Sequence, residues 1–478
     1  MLAVGITNIL PAPKARQREV LYLPDTGFSV ITGSAGAGKT LMALYRACYL
    51  GNSRLPNAGA CLFLTYNRAL AKDVDRKLKA MGLRHVKATT YHSFLTTVLG
   101  AQKREETGLP FDSLKLCKKG RTTIISDAVN AVKLNNDASP LFKRRDEFFV
   151  DEIDWILRMG IGSLDEYRDA DRIGRGSTRL KSDQRPLMYE VYEEYLERLH
   201  ENYDYDYETM PHKFAQSSIC GKALSEYRHI IIDEGQDFPL VLIRAFAEHM
   251  RKDGSLTFIL DNTQQVYGPR ISWTSAGFTN CKLWELHENY RNTIEIYNLS
   301  QALASLIEEF GDKTDVNTVV PPKVHGDLPK IVEVQDEEER EELIRELADI
   351  DLEHDTCAIL VSYHWQFDNI KNYVPDVIDL KTHLEDGNYL TPGIYVCTIH
   401  SAKGLEFDTV ILPYLDAKGF ISPHVVEDDE FKNNKLIRQL KTLYVAVTRA
   451  RSQLLMIYSD ELTELMPSDS DLYERVEA

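Results

Sequence analysis

The segment GSAGAGKT, residues 33–40, has the residue types and spacing that bind a nucleoside triphosphate. It fits the pattern G-x-x-x-x-G-K-[ST], in which glycines let the backbone turn tightly so that its amides face the phosphates. The glycines are Gly33, Gly36 and Gly38. Lys39 is placed to reach the β and γ oxygens, and Thr40 to ligate Mg²⁺. We therefore predict a site for ATP and Mg²⁺, and disfavour a plain glycine-rich turn with an exposed lysine.

A carboxylate pair in HIIIDEGQD, residues 229–237, is the second candidate for chemistry. Three consecutive isoleucines indicate a buried strand that delivers Asp233 and Glu234 at its carboxyl end. We expect Asp233 to hold Mg²⁺ through water and Glu234 to polarise the water that attacks the γ-phosphate. Most Asp-Glu pairs are solvated surface groups, but the strand context favours chemistry here.

The elements that position these groups alternate between short apolar runs and helical patterns. Apolar runs occur in FSVITG, ACLFLTYN, EYRHIIIDE and SLTFILDN, and the helical pattern TLMALYRACYL follows the phosphate loop. This alternation predicts an α/β fold with a mostly parallel sheet and sites at the carboxyl ends of its strands. Five later runs, KIVEVQ, TCAILVS, GIYVCTIH, DTVILPYL and QLLMIYS, predict a second α/β core.

Strand signals fade in the middle of the chain, where helical patterns such as PLMYEVYEEYLERLHENY predominate. In that stretch Tyr192, Tyr195 and Leu199 recur at helical spacing, and we expect them to be core residues rather than a stacking platform. The predicted units are a first RecA-like core of the P-loop NTPase type at 1–94 and 223–290, a mainly helical insertion at 95–222, and a second RecA-like core at 291–478.

The formal net charge of −17 over 478 residues would by itself disfavour a nucleic-acid partner. The acids are concentrated at 336–342, at 427–430 and in the C-terminal tail, however, so a local basic groove stays compatible with the composition. Seven scattered cysteines without CxxC spacing argue against a disulfide framework, structural zinc or an iron–sulfur cluster. No apolar run approaches the ~20 residues that cross a bilayer, so we expect a cytoplasmic location.

Several motifs in this order resemble those of the UvrD/PcrA/Rep-like family of superfamily 1A DNA helicases. DEGQD resembles the second motif and LDNTQQVY the third; HENYRN, TIHSAKGLEF and LYVAVTRAR follow, and ARQREV precedes the phosphate loop. The resemblance implies the following roles: Gln17 reads adenine, Gln264 senses the γ-phosphate, Tyr290 stacks near the base, Arg291 contacts the γ-phosphate, Glu406 lies near the ribose, and Arg449 is a catalytic arginine of the second core.

Arg291 and Arg449 lie far beyond the phosphate loop in the sequence. Either one alone would be interpreted as a surface ion-pair residue, but the ordered set of motifs favours a shared site. Closure of a cleft between the cores would bring both cations to the charge that develops on the γ-phosphate. Opening after hydrolysis would then change the spacing of the cores and pull a bound strand along.

The same resemblance implies contacts with a nucleic-acid strand. Hydroxyl, amide and imidazole groups can bond phosphates without sequence preference, and an aromatic ring can stack on any base. The candidates are Thr65, Tyr66, Asn67, Thr90, His92 and Phe94 in the first core, and Thr398 and His400 in the second. A strand-end cap or core residue is an equally open alternative for each.

The insertion contains the segment RIGRGSTRLKSDQR, residues 172–185, which combines basic residues with glycines that permit close backbone approach. We predict a phosphate-binding loop that carries Arg175 and Arg179. A solvated charged loop is the alternative, and isolated charge runs usually are that.

The resemblance implies an ATP-dependent translocase or helicase on single-stranded DNA with 3′ to 5′ polarity, while RNA stays open as a substrate. Two features depart from the family pattern. The interval from Arg291 to Thr398 leaves little beyond what the second core needs, so we expect the family's second inserted subdomain to be reduced or absent. In the third motif, Leu260 stands before Asp261 where the family has glycine. Trp273 either replaces a missing stacking residue or belongs to the core.

These departures keep a second class of function open, a nucleic-acid-stimulated ATPase switch. Such a switch would gate a protein partner, for example a nuclease in a bacterial defence or DNA repair complex, without processive unwinding. A small-molecule kinase lacks support, because no acceptor-site pattern would explain the paired arginines. The acidic C-terminal tail shows no nuclease-type constellation of carboxylates with a lysine.

Overall fold

The computed structural model describes residues 10–14, 16–110, 114–172, 180–261, 273, 276–278, 280–310, 320–348, 354–374, 376–386, 388, 390–420 and 429–477. The strands are β1 (Gly27–Gly33), β2 (Cys61–Thr65), β3 (Val86–Thr90), β4 (Leu116–Cys117), β5 (Tyr205–Asp206), β6 (His229–Ile232), β7 (Ser255–Leu260), β8 (Lys282–Leu286), β9 (Lys330–Val334), β10 (Thr356–Val361), β11 (Ile378–Asp379), β12 (Gly393–Thr398), β13 (Phe407–Leu412), β14 (Ala450–Ser459) and β15 (Glu474–Glu477).

The helices alternate with these strands in both halves of the chain. They are α1 (Gln17–Val20), α2 (Lys39–Leu50), α3 (Arg68–Ala80), α4 (Tyr91–Thr107), α5 (Arg121–Asn136), α6 (Asp146–Met159), α7 (Leu164–Asp169), α8 (Arg185–Asn202), α9 (Thr209–Gln216), α10 (Cys220–Ser225), α11 (Leu240–His249), α12 (Ile294–Phe310), α13 (Glu337–Ala348), α14 (His364–Tyr373), α15 (Leu380–Glu385), α16 (Ala417–Phe420) and α17 (Asp429–Val447).

The first core is a parallel sheet with the strand order β3-β2-β6-β7-β1-β8. Its central strands are buried on both faces, which is why they appear in the sequence as continuous apolar runs rather than alternating ones. Strand β7 lies between β6 and β1. The carboxyl ends of all three strands therefore open onto one edge, where the phosphate loop and the Asp233–Glu234 pair follow.

The second core is another parallel sheet, with the order β11-β12-β10-β13-β14-β9-β15. Strand β10 pairs with β12 and β13, and β13 pairs with β14, so the segments around Thr398, Glu406 and Arg449 meet within one sheet. The predicted α/β fold with two parallel-sheet cores is confirmed.

Helices α5 to α8 pack around a separate apolar cluster within the insertion. Tyr192, Tyr195 and Leu199 are buried in this cluster, as predicted. A fully buried carboxylate, Glu152, accepts a hydrogen bond from the Tyr167 hydroxyl at 2.6 Å and is ion-paired with Arg172. Buried charges are stable only when paired in this way, so the insertion has a fixed core of its own.

The two cores contact each other through α3 and α15. Arg68, Lys72 and Arg76 lie four residues apart and so share one face of α3. Lys72 donates to the carbonyl of Glu385 at 2.5 Å, and Arg76 donates to that of Asn388 at 2.6 Å. The last carbonyls of a helix are unpaired and carry partial negative charge, so the Lys72 ammonium matches the end of α15. Arg76 binds the chain just beyond that helix. Within the described ranges no helix has the length and apolar character needed to cross a membrane.

Candidate functional site

The phosphate loop joins the end of β1 to the start of α2, in the strand–loop–helix order that phosphate binding requires. Gly36 and Gly38 adopt φ values of 81° and 78°, which favour glycine. Space also requires glycine here, because a Cβ on Gly36 would clash with Asn289 and one on Gly38 with the amide of Gln17. The loop can therefore present its backbone amides to an anion.

Lys39 holds its ammonium group at the mouth of this loop. The Nζ atom donates to the carbonyls of Gly33 and Ser34 at 2.9 and 2.7 Å, and to Oδ2 of Asp261 at 3.0 Å. Asp261 follows β7 and is completely buried. These three acceptors fix the position of the ammonium group beside the phosphate loop, so the lysine is oriented before any nucleotide enters.

Asp233 and Thr40 fit the Mg²⁺ that accompanies a nucleoside triphosphate. The Asp233 side chain accepts a hydrogen bond from Thr40 and is 1% exposed, and among the described residues its Oδ2 atom has no hydrogen-bond partner. Burial, together with the charge of Glu234, raises the pKa of Asp233 to about 7. A buried carboxylate oxygen of this kind is stabilised by a cation, and a hydroxyl and a carboxylate are the donors that Mg²⁺ takes in such sites.

Glu234 has a strained backbone, with φ 54° and ψ 39° in the left-handed region. Such strain in a residue other than glycine costs about 1–3 kcal/mol and is typical of active sites. Its carboxylate accepts a hydrogen bond from Gln236, whose own oxygen accepts from the backbone of Asp261. Burial raises the pKa of Glu234, but the charges of Lys403, Lys39 and Arg449 outweigh it and lower the pKa. The group is therefore held as an anion.

Asp237 and Lys403 form a buried ion pair between the two cores, which the sequence analysis did not foresee. The Lys403 ammonium donates to both carboxylate oxygens of Asp237, at 2.7 and 2.6 Å. Asp237 belongs to the DEGQD segment and Lys403 to TIHSAKGLEF. The second core thus places a cation directly beside the loop that carries Glu234. Both residues lie inside motifs that are visible in the sequence, but no sequence pattern indicated that these two motifs contact each other.

Arg291 lies at the junction of the two cores. Its guanidinium is ion-paired with Glu406 and donates to the carbonyl of Thr448 at 3.2 Å. Its backbone is fixed by Asn289, which accepts from the Arg291 amide at 2.9 Å, while Asn292 donates to the carbonyl of Ala450. The segment HENYRN is therefore tied to the segment that carries Arg449.

Arg449 is 1% exposed and donates to the carbonyls of Val445 and Leu405 and to the hydroxyl of Thr448. Burial and the nearby charge of Arg291 lower its pKa to about 10. The charge of Arg449 lowers the pKa of Glu234, and the Cβ atom of Arg291 lies beside Gly36. Arg449 thus lies near Glu234, and Arg291 lies beside the phosphate loop.

Gln17 and Tyr290 both contact the phosphate loop. The Gln17 side chain is buried, donates to the carbonyl of Ala37 at 2.9 Å and accepts from the backbone of Lys14. Tyr290 donates through its backbone to Gly36 at 3.0 Å, and its ring is exposed with the Lys14 ammonium 5.4 Å from the centroid. Lys14 thus contacts both residues, and the exposed Tyr290 ring offers a face on which a base can stack.

The predicted strand contacts of the first core have different environments. Tyr66 is 39% exposed, and its ring lies 5.7 Å from that of His92. Thr65 is buried at the end of β2. Thr90 caps α4, and Asn67 caps α3 while its amide donates to the carbonyls of Ser401 and Lys403. Asn67 thus links the cores, and the Tyr66 ring is the part that faces solvent.

Phe94 corrects the sequence analysis. Its side chain is 3% exposed and packs among Phe214, Phe246 and Tyr227 in the core of the first sheet. The family resemblance implied a strand contact at this position, with a core residue as the alternative, but α4 turns the side chain towards the sheet. The prediction of a strand contact at Phe94 is wrong.

The remaining candidates are placed as follows. Thr398 ends β12 with its hydroxyl 2.9 Å from that of Ser401, and His400 is exposed in the next turn. Gln264, Arg175 and Arg179 lie outside the described residues. The flanks of the predicted phosphate-binding loop serve the fold instead, because Arg172 pairs with Glu152 and Arg185 donates to the carbonyl of Tyr167 at 2.9 Å. Trp273 packs against Phe258 and Phe278, which favours its core alternative.

A phosphate loop, a buried carboxylate pair and cations from a second parallel-sheet core together define a P-loop nucleoside triphosphate hydrolase with two cores. Residues 14–280 match the family model of the UvrD/REP helicase N-terminal domain, and residues 368–461 match that of the UvrD-like helicase C-terminal domain. The chain belongs to the UvrD/REP family of ATP-dependent DNA helicases.

Curated relatives are consistent with this assignment. The chain is 23% identical over 458 residues to a Mycoplasma pneumoniae protein named "Probable DNA helicase", a match that covers 91% of this chain and 81% of that protein. It is 22% identical to "DNA helicase II" of Haemophilus influenzae and 24% identical to "ATP-dependent DNA helicase UvrD1" of Mycobacterium bovis. These two matches cover 63% and 62% of this chain but 41% and 39% of the relatives.

Replacing Phe94 by alanine tests its assignment to the core. We expect Phe94→Ala to lower the free energy of unfolding by about 3–5 kcal/mol, since a buried ring leaves a cavity. Phe310→Ala is the matched control, because that ring is 43% exposed. Denaturant unfolding measures both variants. Equal, small losses of stability in the two variants would contradict the assignment.

Glu406 makes a pH-dependent contribution to stability. Burial raises its pKa, but the guanidinium groups of Arg291 and Arg451 outweigh burial and lower the pKa from the ordinary 4.5 to about 2. Because the folded pKa lies below the unfolded one, the stabilisation is complete above pH 4.5 and is lost as the pH falls towards 2. We expect Glu406→Gln to destabilise the protein at pH 7 by up to about 2–3 kcal/mol, allowing for partial solvent screening.

Denaturant unfolding of both proteins from pH 7 to pH 3 checks this expectation. The difference in the free energy of unfolding should be constant down to about pH 4.5 and shrink below it. A difference that stays constant to pH 3 would show that Glu406 is not held by the two arginines.

Proposed function

We propose that this chain is an ATP-driven translocase or helicase that moves along single-stranded DNA with 3′ to 5′ polarity. The observation that carries the proposal is the convergence of second-core cations on a first-core carboxylate. Lys403, from the second core, is ion-paired with Asp237, three residues after Glu234. The charges of Lys403, of Lys39 in the phosphate loop and of Arg449 in the second core together lower the pKa of Glu234. A site assembled from both cores couples nucleotide chemistry to their relative position, which is what a motor requires.

The hydrolysis step follows from these groups. Glu234, held as an anion, would accept a proton from the attacking water, while Asp233 and Thr40 would hold the Mg²⁺ that neutralises the phosphate charge. Lys39, Arg291 and Arg449 would stabilise the charge that develops on the γ-phosphate. With Gln17 and Tyr290 at the base and Glu406 at the ribose, ATP would contact both cores at once.

Contacts with a strand would also come from both cores. Tyr66 follows β2, His92 lies in the first turn of α4 after β3, and Thr398 ends β12. Each of these strands is parallel to its neighbours, so the side chains lie at the carboxyl edges of the two sheets. A strand that stacks on Tyr66 and bonds to Thr398 would be pulled when the cores separate. The names of the relatives favour DNA over RNA as that strand.

One observation favours the alternative, an ATPase switch that gates a protein partner. Among the described residues, the only helix between β11 and β12 is α15, and it is docked on α3 of the first core. No additional folded unit occupies this interval of the described chain to engage a duplex. Nucleic-acid-stimulated hydrolysis could then serve to signal occupancy rather than to unwind.

ATP hydrolysis with and without single-stranded DNA, alongside displacement of 3′- and 5′-tailed duplexes, tests the proposal. We expect DNA to stimulate turnover more than single-stranded RNA does, and the 3′-tailed duplex to be displaced. Lys39→Ala is the control, and loss of its ammonium should lower turnover by about 100-fold or more. Stimulation without displacement of either duplex would support the switch, and absence of stimulation by both polymers would remove the motor.

A further inference from the structure

The loop Glu234–Phe238 has a third neighbour besides the phosphate loop and the second core. Arg158, in the last turn of α6 in the insertion, donates through Nη2 to the backbone carbonyl of Asp237 at 3.1 Å. Asp237 is the residue whose carboxylate is held by Lys403. One residue of this loop is therefore fixed by the second core through its side chain and by the insertion through its backbone.

The other end of the Arg158 guanidinium faces Glu208. Its Nη1 atom lies 3.6 Å from Oε2 of Glu208, the residue just before α9, and the arginine side chain is 13% exposed. Burial and the charges of Arg158 and Arg68 lower the pKa of His92 to about 4. The charge of Arg158 therefore reaches a ring that is a candidate to contact the strand.

A set of aromatic contacts also connects the candidate strand-binding residues with the loop Glu234–Phe238. The exposed ring of Tyr66 lies 5.9 Å from that of Tyr91, which stacks on His92 at 3.8 Å. Tyr91 also lies 4.7 Å from Phe238, the residue after Asp237. Base stacking on Tyr66 would press on a set of rings that ends at the loop carrying Glu234.

We propose that Arg158 is a positioning residue that couples an occupied strand groove to ATP hydrolysis. It does so by holding the backbone of Asp237. The loop that carries Glu234 thereby stays in contact with the rings of Tyr66, Tyr91 and His92. This inference rests on the proposed function, because it requires that nucleic acid stimulates the ATPase. Arginine suits the role, since its planar fork binds a carboxylate and a carbonyl at the same time, whereas a lysine ammonium is a single point charge.

The test compares basal and DNA-stimulated turnover in Arg158→Gln, Arg158→Lys and the unsubstituted full chain, with a single-stranded oligonucleotide as the probe. Residues that carry coupling modulate it by an amount that corresponds to about 2- to 30-fold. We expect Arg158→Gln to lower the ratio of stimulated to basal kcat by that factor and Arg158→Lys to restore part of it. The KM for ATP should change less than kcat, because Arg158 does not line the phosphate loop.

Arg244→Gln is the matched control. Arg244 joins the same two units, donating from α11 to the carbonyl of Met159 at 3.0 Å, one residue beyond Arg158. Thermal unfolding of each variant measures the structural cost, and the ratio of turnovers should be unchanged in Arg244→Gln.

Three outcomes decide the matter. A reduced ratio in Arg158→Gln with partial recovery in Arg158→Lys supports the inference. An unchanged ratio in Arg158→Gln, or an equal loss of basal and stimulated turnover, overturns the inference while leaving the motor intact. Absence of stimulation in the unsubstituted protein removes the proposed function, and the inference with it.

Discussion

A lysine ammonium buried against a carboxylate between two cores is the interaction on which the arrangement of this molecule depends. Lys403 and Asp237 are both nearly inaccessible to solvent. Removing two charges from water is costly, and the cost is met only while both partners stay in contact. The cores therefore keep their closed arrangement only while the Lys403–Asp237 pair is intact. Anything that separates the cores must rehydrate both charges.

The Lys403–Asp237 pair lies close to the carboxylate that would act on water. Asp237 lies three residues after Glu234 on a loop that begins with a strained backbone. The same loop contacts Asp261, the residue after β7, through Gln236, and it contacts the insertion through Arg158. Three separate parts of the chain thus converge on the carboxylate that would act on water. A change in the spacing between the cores would therefore alter the surroundings of Glu234.

The features that the sequence predicted are those formed by residues close together in the chain. The phosphate loop and the Asp233–Glu234 pair are contiguous motifs, and apolar runs placed their strands without knowledge of the tertiary fold. The pairing of Arg291 with Glu406 was not visible, because it joins segments far apart in the chain and depends on the register of β13 and β14. The strand contact that the resemblance implied at Phe94 was wrong for another reason, since a motif match does not specify which side of α4 faces the sheet.

If both cores act on one nucleotide, removing either second-core arginine must slow hydrolysis. Single-turnover hydrolysis of bound ATP by Arg449→Ala and Arg291→Ala tests this most directly. Arg451→Ala is the control, because that side chain is 48% exposed and pairs with Glu406 beside the site. Cations supplied across a cleft contribute about a thousandfold or more to phosphoryl transfer. We expect a loss of that size in both variants, with ATP still bound and Arg451→Ala near the unsubstituted rate. Undiminished hydrolysis in Arg449→Ala and Arg291→Ala would contradict the account.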